Sequence, residues 1–414
     1  MSQPAGPDFA RILYTAGNQG GTPLQCELLD CGGATVKKFT GEFWTSRQRQ
    51  ACSIHEVSYR ACFKPQLPRF FIERLTRPGD LVYDPFSGRG TTVIEAGLLG
   101  RTVAANDANP LSRIMTEPRF FPPDPGVVEK RLDTIPKSSH PADIDLSMFF
   151  HPATEEEIVS LKEYLIDRND HARIDQVDRW IAMVATNRLT GHSKGFFSVY
   201  TLPPNQAVSQ SNQQRINSRR KQVPEYRDTH KIIMKKTKSL LRSVSATEAA
   251  NLTRAGKSAV FCNDDAGSTI RIPDNAVQLT VTSPPFLDIV QYDKDNWLRC
   301  WFNSLDRDTI SKGITMARTI DAWCAVMRRA FLELYRITRP GGYVAFEVGE
   351  VRKKSIRLEE EVVPLGCDAG FSVEGILINE QVFTKTSNIW GVGNNTCGTN
   401  TNRIVLFKKP GGEP

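Results

Sequence analysis

Thr282-Ser283-Pro284-Pro285-Phe286 follows the apolar, alternating stretch 277–281, so a strand is expected to end in a rigid loop tipped by an aromatic ring. Two consecutive prolines fix φ and carry no N–H, which leaves their carbonyls pointing outward as acceptors. The Ser283 hydroxyl and the Phe286 ring stand beside them. Such a clamp suits a flat heterocycle, gripped by its amino group and its π-face. The plain alternative is a Pro-Pro turn that only terminates a strand.

A second segment agrees with the chemical reading. Residues 79–92 read Gly-Asp-Leu-Val-Tyr-Asp-Pro-Phe-Ser-Gly-Arg-Gly-Thr-Thr, followed by an apolar helical stretch and then Arg-Thr-Val-Ala-Ala-Asn-Asp. This is strand, glycine turn, helix, strand. Gly88 and Gly90 allow positive φ and close approach of the backbone to a ligand. Asp107 lies about 20 residues beyond them, where an acid at the end of a second strand takes a ribose hydroxyl in doubly wound folds. The spacing is not G-x-G-x-x-G, which disfavours a nicotinamide or flavin dinucleotide.

Asp84-Pro85-Phe86-Ser87-Gly88-Arg89-Gly90-Thr91-Thr92 together with Thr282 to Phe286 resembles the amino-methylating DNA methyltransferases, which use S-adenosylmethionine. The resemblance covers residues 55–110 and 259–350. It implies that Asp84, Pro85, Phe86, Gly88, Gly90, Thr91 and Thr92 hold the cofactor, and that Ser283, Pro284, Pro285 and Phe286 hold an extruded base. Lys64 and Pro65 match the cofactor-cradling segment before the first strand, and Asp107 takes the ribose. Asp264 or Asp265, closing the stretch 259–265, is the acid expected at the cofactor's adenine. A serine at the first clamp position implies N4 of cytosine as the target. The N6 amino group of adenine and an amino group on RNA stay open as alternatives.

Other residues narrow the chemistry. Methylating a pyrimidine ring carbon needs a thiolate, and the sequence contains no Pro-Cys dipeptide to present one. Methylating an exocyclic amine needs only acceptors for its protons and a well-aimed methyl donor. Nine cysteines without a Cys-x-x-Cys pair, and six histidines without ligand spacing, fit reduced thiols and no metal site. The formal net charge of +7 suits a polyanionic partner, here double-stranded DNA. A cognate restriction endonuclease acting on the same site stays open as a second partner. No apolar run of membrane-spanning length and no signal-peptide pattern is present, so a cytoplasmic, bacterial or phage-encoded enzyme is expected.

The elements that must position these motifs follow from periodicity. The expected architecture is α/β: a Rossmann-like, seven-stranded class I methyltransferase sheet with a largely helical insertion. Residues 1–50 form an N-terminal extension, of which 1–45 are expected to be partly disordered or to lid the cofactor pocket. Residues 51–109 and 259–414 form the cofactor-binding and catalytic halves of the catalytic domain. Between them, 110–258 is the helical insertion, with amphipathic helices at 152–168 and 175–189 and a target-recognition role. Its basic run includes Arg219, Arg220, Lys221 and Arg227 and follows amide-rich residues 205–214, a pairing suited to phosphate and base-edge contacts. A solvated helix face is the plain alternative. The loop 190–197 is expected to touch DNA or to pack, Trp297 to pack in the core, and His55-Glu56 to form a structural pair. Residues 371–379 and 402–408 should form the final antiparallel strands.

Overall fold

In the computed structural model, which describes residues 24–44, 51–59, 62–138, 140–202, 207–285, 296–306, 310, 317, 319–348, 350–351, 356–380 and 401–411, the apolar runs assemble into one nine-stranded sheet. Its strands in chain order are β1 (Gln25–Cys31), β2 (Ala34–Gly41), β3 (Leu81–Asp84), β4 (Thr102–Asn106), β5 (Val260–Cys262), β6 (Val277–Thr282) and β7 (Thr338–Val348). A two-stranded ribbon, β8 (Glu350–Val351) and β9 (Ile356–Arg357), precedes β10 (Ser372–Glu380) and β11 (Thr401–Lys408). Across the sheet the order is β1-β2-β10-β11-β7-β6-β3-β4-β5.

The seven strands from β10 to β5 match the seven-stranded sheet expected from the sequence. β5, β4, β3, β6 and β7 pair in parallel, and the β10–β11 hairpin closes the far side with β11 antiparallel to β7. Parallel strands covered on both faces read as near-continuous apolar runs, and every residue of β6 is buried. β7 is longer than its apolar core because Arg339-Pro340-Gly341-Gly342 lies within the strand as an irregularity opposite β6.

Two strands exceed the expected seven. Residues 25–41 form a hairpin around Gly32 and Gly33, both at positive φ, and β2 adds in parallel to β10. This places residues 24–44 at the sheet edge opposite β3 and β4, so this part of the N-terminal extension is neither disordered nor a lid on the cofactor strands. Asn379 secures it: its side-chain oxygen accepts from the backbone N–H groups of Phe43 (2.7 Å) and Trp44 (3.2 Å) in a buried site. The Trp44 ring then packs against Phe70 and Phe71 of the helix Gln66–Leu75.

Between β4 and β5 the described residues hold α-helices and one 3-10 turn, with no named strand. The expected helix at 152–168 runs Pro152–Asp170, and that at 175–189 runs Gln176–Arg188, started by an Asp175/Asp178 capping box. Trp180, fully buried, donates from its indole N–H to Thr237 at 3.1 Å. Trp180, Ile158 and Ile233 belong to the same apolar cluster as Phe71, Val93 and Leu279 beneath the sheet. The insertion therefore covers one sheet face and shares its core.

Asn379→Ala leaves two buried N–H groups without their acceptor, each costing about 1–3 kcal/mol. A melting temperature well below that of the parent, in thermal denaturation of the full chain, is the expected outcome; an unchanged value would mean that the hairpin is held by other contacts.

Candidate functional site

β3 ends at Asp84 and the chain turns through Pro85–Gly90 into the helix Thr91–Leu98. The turn is tight enough to demand glycine. Gly88 and Gly90 have φ of +52° and +72°, and a Cβ at position 90 would lie 2.3 Å from Thr116. The Gly88 N–H donates to Asp107 Oδ2 at 2.8 Å, and the Asn109 N–H donates to Asp107 Oδ1 at 2.9 Å, which fixes the acid at the end of β4. Arg89 reaches back: its guanidinium donates to the Val57 carbonyl at 2.9 Å and to that of Phe63 at 3.4 Å. That contact holds the segment bearing Lys64 and Pro65 against the glycine turn.

Asp84 is buried and accepts from the Thr282 hydroxyl at 2.6 Å and from the Phe86 N–H at 3.1 Å. Burial pushes its carboxyl up to about 7, against the lowering effect of these bonds and of Thr92. Burial likewise raises Asp107 to about 6, opposed by the Asn109 and Gly88 N–H groups. Thr92 also donates to the Val281 carbonyl at 2.9 Å, and Thr91 accepts from Arg89, so both threonines brace the turn. Burial, with Arg89 nearby, lowers Lys64 from its ordinary value.

The clamp lies one strand away. Ser283 is half-buried, Pro284 buried and Pro285 half-buried. The Pro285 carbonyl accepts from the Trp323 indole at 2.9 Å, so it faces the helix Ile320–Ile337 rather than outward as the sequence suggests. Ser283 bonds to Glu347, a buried acid at the end of β7 that Asn402 also engages. Glu347 was missed in the sequence, although it is the only charge in the apolar run 343–348. Phe286 lies outside the described residues, as do Tyr292, Asn205 and Gln206.

Of the two acids after β5, only one sits beside the β4 end. The Asp264 N–H donates to Asn106 Oδ1 at 2.9 Å, and Asn106 returns a bond to the Asp264 carbonyl at 3.0 Å. Asp265 is exposed, accepts from the Gly267 N–H and pairs with Arg329. The basic run is also divided. Arg219 and Lys221 are exposed, and Arg220 stacks over Tyr200 at 3.8 Å. Arg227 instead donates to the carbonyls of Ser193, Phe196 and Ser198, which packs the loop 190–197 with Phe196 and Phe197 buried. Trp297 packs against the core and donates to the Val208 carbonyl at 3.1 Å. His55 is structural, but its partner is Glu95 at 2.7 Å; Glu56 pairs with Arg242.

Residues 32–112, which carry the glycine turn and both of its strands, match the family model for N6/N4 methyltransferases, described as DNA methylase. Over these residues the chain is similar to the N6/N4 amino-methyltransferases. Type II methyltransferase M.MjaII of Methanocaldococcus jannaschii is 32% identical over 73 residues, 17% of this chain and 14% of that protein. Type II methyltransferase M.MvaI of Kocuria varians is 34% identical over 80 residues, 19% of this chain and 18% of that protein. The chain thus spans less than a fifth of the length of these curated relatives. A DNA modification methylase from Thermus thermophilus, solved with S-adenosyl-L-methionine, aligns over 36% of this chain and 53% of its own, at 20% identity and a TM-score of 0.24. A SAM-dependent methyltransferase from Methanosarcina mazei aligns over 82% and 97%, at 10% identity and a TM-score of 0.30.

The family's cofactor can be tested against the site. Among the described residues, Ser87 Oγ and Asn109 Nδ2 are buried without hydrogen-bond partners, just beyond the ends of β3 and β4. Uncommitted buried polar atoms beside two raised carboxyls are what a ligand bearing an ammonium and hydroxyls would satisfy. The residues fit the group.

Without ligand, Asp84 is a liability to folding above mild acid. Its folded value near 7 exceeds the unfolded 3.8, so its contribution is fully favourable below about 4 and is lost as pH rises through 7. Each pH unit between the two values is worth about 1.4 kcal/mol. Asp84→Asn should therefore melt progressively higher than the ligand-free parent as pH goes from 4 to 7, with the gap levelling off above that. A gap in melting temperature that stays constant across this range would contradict the assignment.

Proposed function

We propose that this protein transfers a methyl group from S-adenosylmethionine to the exocyclic amino group of a base flipped out of double-stranded DNA, and that the group is N4 of cytosine. One observation carries the reading. The family's glycine turn and the Ser-Pro-Pro clamp emerge at the carboxyl ends of adjacent parallel strands, joined by the Thr282–Asp84 bond. Open α/β sheets bind their ligands at such strand ends.

When bound, the cofactor supplies an electrophilic methyl group. The chain supplies the rest. Asp84, with the turn through Pro85, Phe86, Gly88 and Gly90, would face the amino-acid end; Asp107 would take the ribose hydroxyls and Asp264 the adenine amino group. Lys64 and Pro65 would close the side. Ser283 and the Pro284 carbonyl accept the amino protons of the target, favouring a tetrahedral nitrogen as its charge develops. Phe286 stacks on the base and returns about 1–3 kcal/mol of the cost of extrusion. Arg219, Arg220 and Lys221, at the end of the helix Gln210–Arg220, would hold phosphates. A restriction endonuclease sharing the site is compatible with the type II methyltransferases the chain is similar to.

Incubating the protein with methyl-labelled cofactor and duplex DNA, then digesting to nucleosides, should yield N4-methylcytosine by mass spectrometry. N6-methyladenine alone would overturn the cytosine assignment, and label entering only RNA would overturn the DNA substrate. Neutralising Arg219, Arg220 and Lys221 together should weaken DNA binding and reduce the salt slope by about 0.9 per lost phosphate contact. Wild-type affinity throughout a salt titration would return these residues to a solvated helix face.

A further inference from the structure

Ser283 and Glu347 leave the sheet side by side. Thr282 is the register partner of Phe346, so the next residue on each parallel strand lies at the same level. Side chains alternate along a strand. Ser283 shares the parity of Leu279 and Val281, and Glu347 that of Tyr343 and Ala345; all four apolar residues belong to the cluster beneath the helical insertion. Ile404 is the register partner of Glu347, and Asn402 shares its face. The serine hydroxyl, the carboxyl and the amide therefore meet at one rim of one sheet face. Glu347 is buried, and among the described residues no cation neutralises it.

An acid in that position needs a reason. A lone buried carboxyl is costly, and an amide or an apolar residue would fill the strand end without that cost. The chemistry of the neighbouring clamp provides one. An exocyclic amine that gains a methyl group carries a positive charge until it loses a proton, and Ser283 can pass a proton on but cannot keep it.

We propose that Glu347 is a positioning residue for methyl transfer, orienting the Ser283 hydroxyl and receiving through it the proton that the target amine gives up. The inference rests on the amine-methylating function proposed above. The nitrogen lone pair forms the new N–C bond, and the electrons of the broken S–C bond stay on sulfur. The N–H bonding pair returns to nitrogen as its proton moves to Ser283 Oγ. The serine's own proton moves to Glu347, which ends as a neutral carboxylic acid and later yields that proton to water. Burial raises the Glu347 carboxyl to about 7, opposed by the bonds from Asn402 and Ser283, which suits a proton acceptor working near neutrality. Among the described residues the groups engaging it are Ser283 from β6 and Asn402 from β11. Asp84, on the far side of β6, is bonded to Thr282, and Arg403, beside Asn402, pairs with Glu359.

The test compares the full-length parent with Glu347→Gln, which keeps size and an acceptor for Asn402. Single-turnover transfer to duplex DNA by the parent should rise with pH through an apparent pKa near 7. In Glu347→Gln the rate should fall about a hundredfold and the rising limb should vanish, while cofactor and DNA affinities stay within about twofold. Infrared difference spectra of the unliganded protein should show carboxylic-acid intensity titrating near neutrality that decreases in the variant by one carboxyl's share, the remainder belonging to Asp84 and Asp107, a readout independent of turnover. If Glu347→Gln does not fold, Glu347→Asp replaces it: a limb displaced along the pH axis supports the inference, and an unmoved limb overturns it. A parent that methylates DNA while Glu347→Gln keeps its rate and pH profile overturns this inference alone. A parent that transfers no methyl group to DNA overturns it together with the proposed function.

Discussion

The hydrogen bond from Thr282 to Asp84 spans 198 residues of sequence and joins two parallel strands of the sheet at the point where the glycine turn and the Ser-Pro-Pro loop leave it. It depends on β6 lying directly against β3, which in turn depends on the whole helical insertion leaving after β4 and returning at β5 on the other side. With that topology the glycine turn and the clamp are neighbours. An order that placed a strand between β3 and β6 would separate them by about 4.8 Å more.

Burial gives this junction its electrostatic character. Asp84, Asp107 and Glu347 sit at the carboxyl ends of three strands with carboxyls raised to about 7, 6 and 7. Among the described residues none of the three is held in an ion pair, in contrast to Glu95 deeper in the core, which is lowered from its ordinary value with His55 and Arg69 beside it. Glu95 is neutralised where it stands, whereas the strand-end acids are left to meet something else. A ligand bearing positive charge would favour their ionised forms, so folding cost in the empty protein is convertible into binding free energy. The insertion supports the same rim: Trp297, just beyond the clamp, is bonded to Val208 at the start of the segment leading to the polar helix Gln210–Arg220. Gln213 and Asn217 dock that helix through carbonyls of Tyr200 and Met148, leaving Arg215 and Arg219 exposed.

Where the candidate residues stand in the fold is legible because those signals are local. A glycine at positive φ, a proline pair and a strand's apolar alternation each act within a few residues, and they place Gly88, Gly90, Asp107 and Ser283 to Pro285 at strand ends. The long amphipathic helices were legible for the same reason. What was not legible depends on partners distant in sequence. The hairpin at 25–41 gains its stability from β10 and Asn379, more than 330 residues away, and alone it reads as weakly patterned. Arg227 reads as one cation in a basic run, yet three loop carbonyls claim it. Asp264 and Asp265 are indistinguishable as letters; only the exchange of bonds with Asn106 separates them. Glu347 did leave a trace, a lone charge in an apolar strand, but its meaning required knowing that β7 ends beside Ser283.

The account rests on the β3, β4 and β6 ends forming one continuous site. A crystal structure of the protein with S-adenosylmethionine and a short cytosine-containing duplex tests that most directly. The account expects the amino-acid end of the cofactor at Asp84 and Gly88, its ribose at Asp107, and an extruded base with its amino nitrogen within hydrogen-bonding distance of Ser283, facing the methyl group. A cofactor bound away from the β3 and β4 ends, or a duplex seated with its nearest base remote from Ser283, would contradict it.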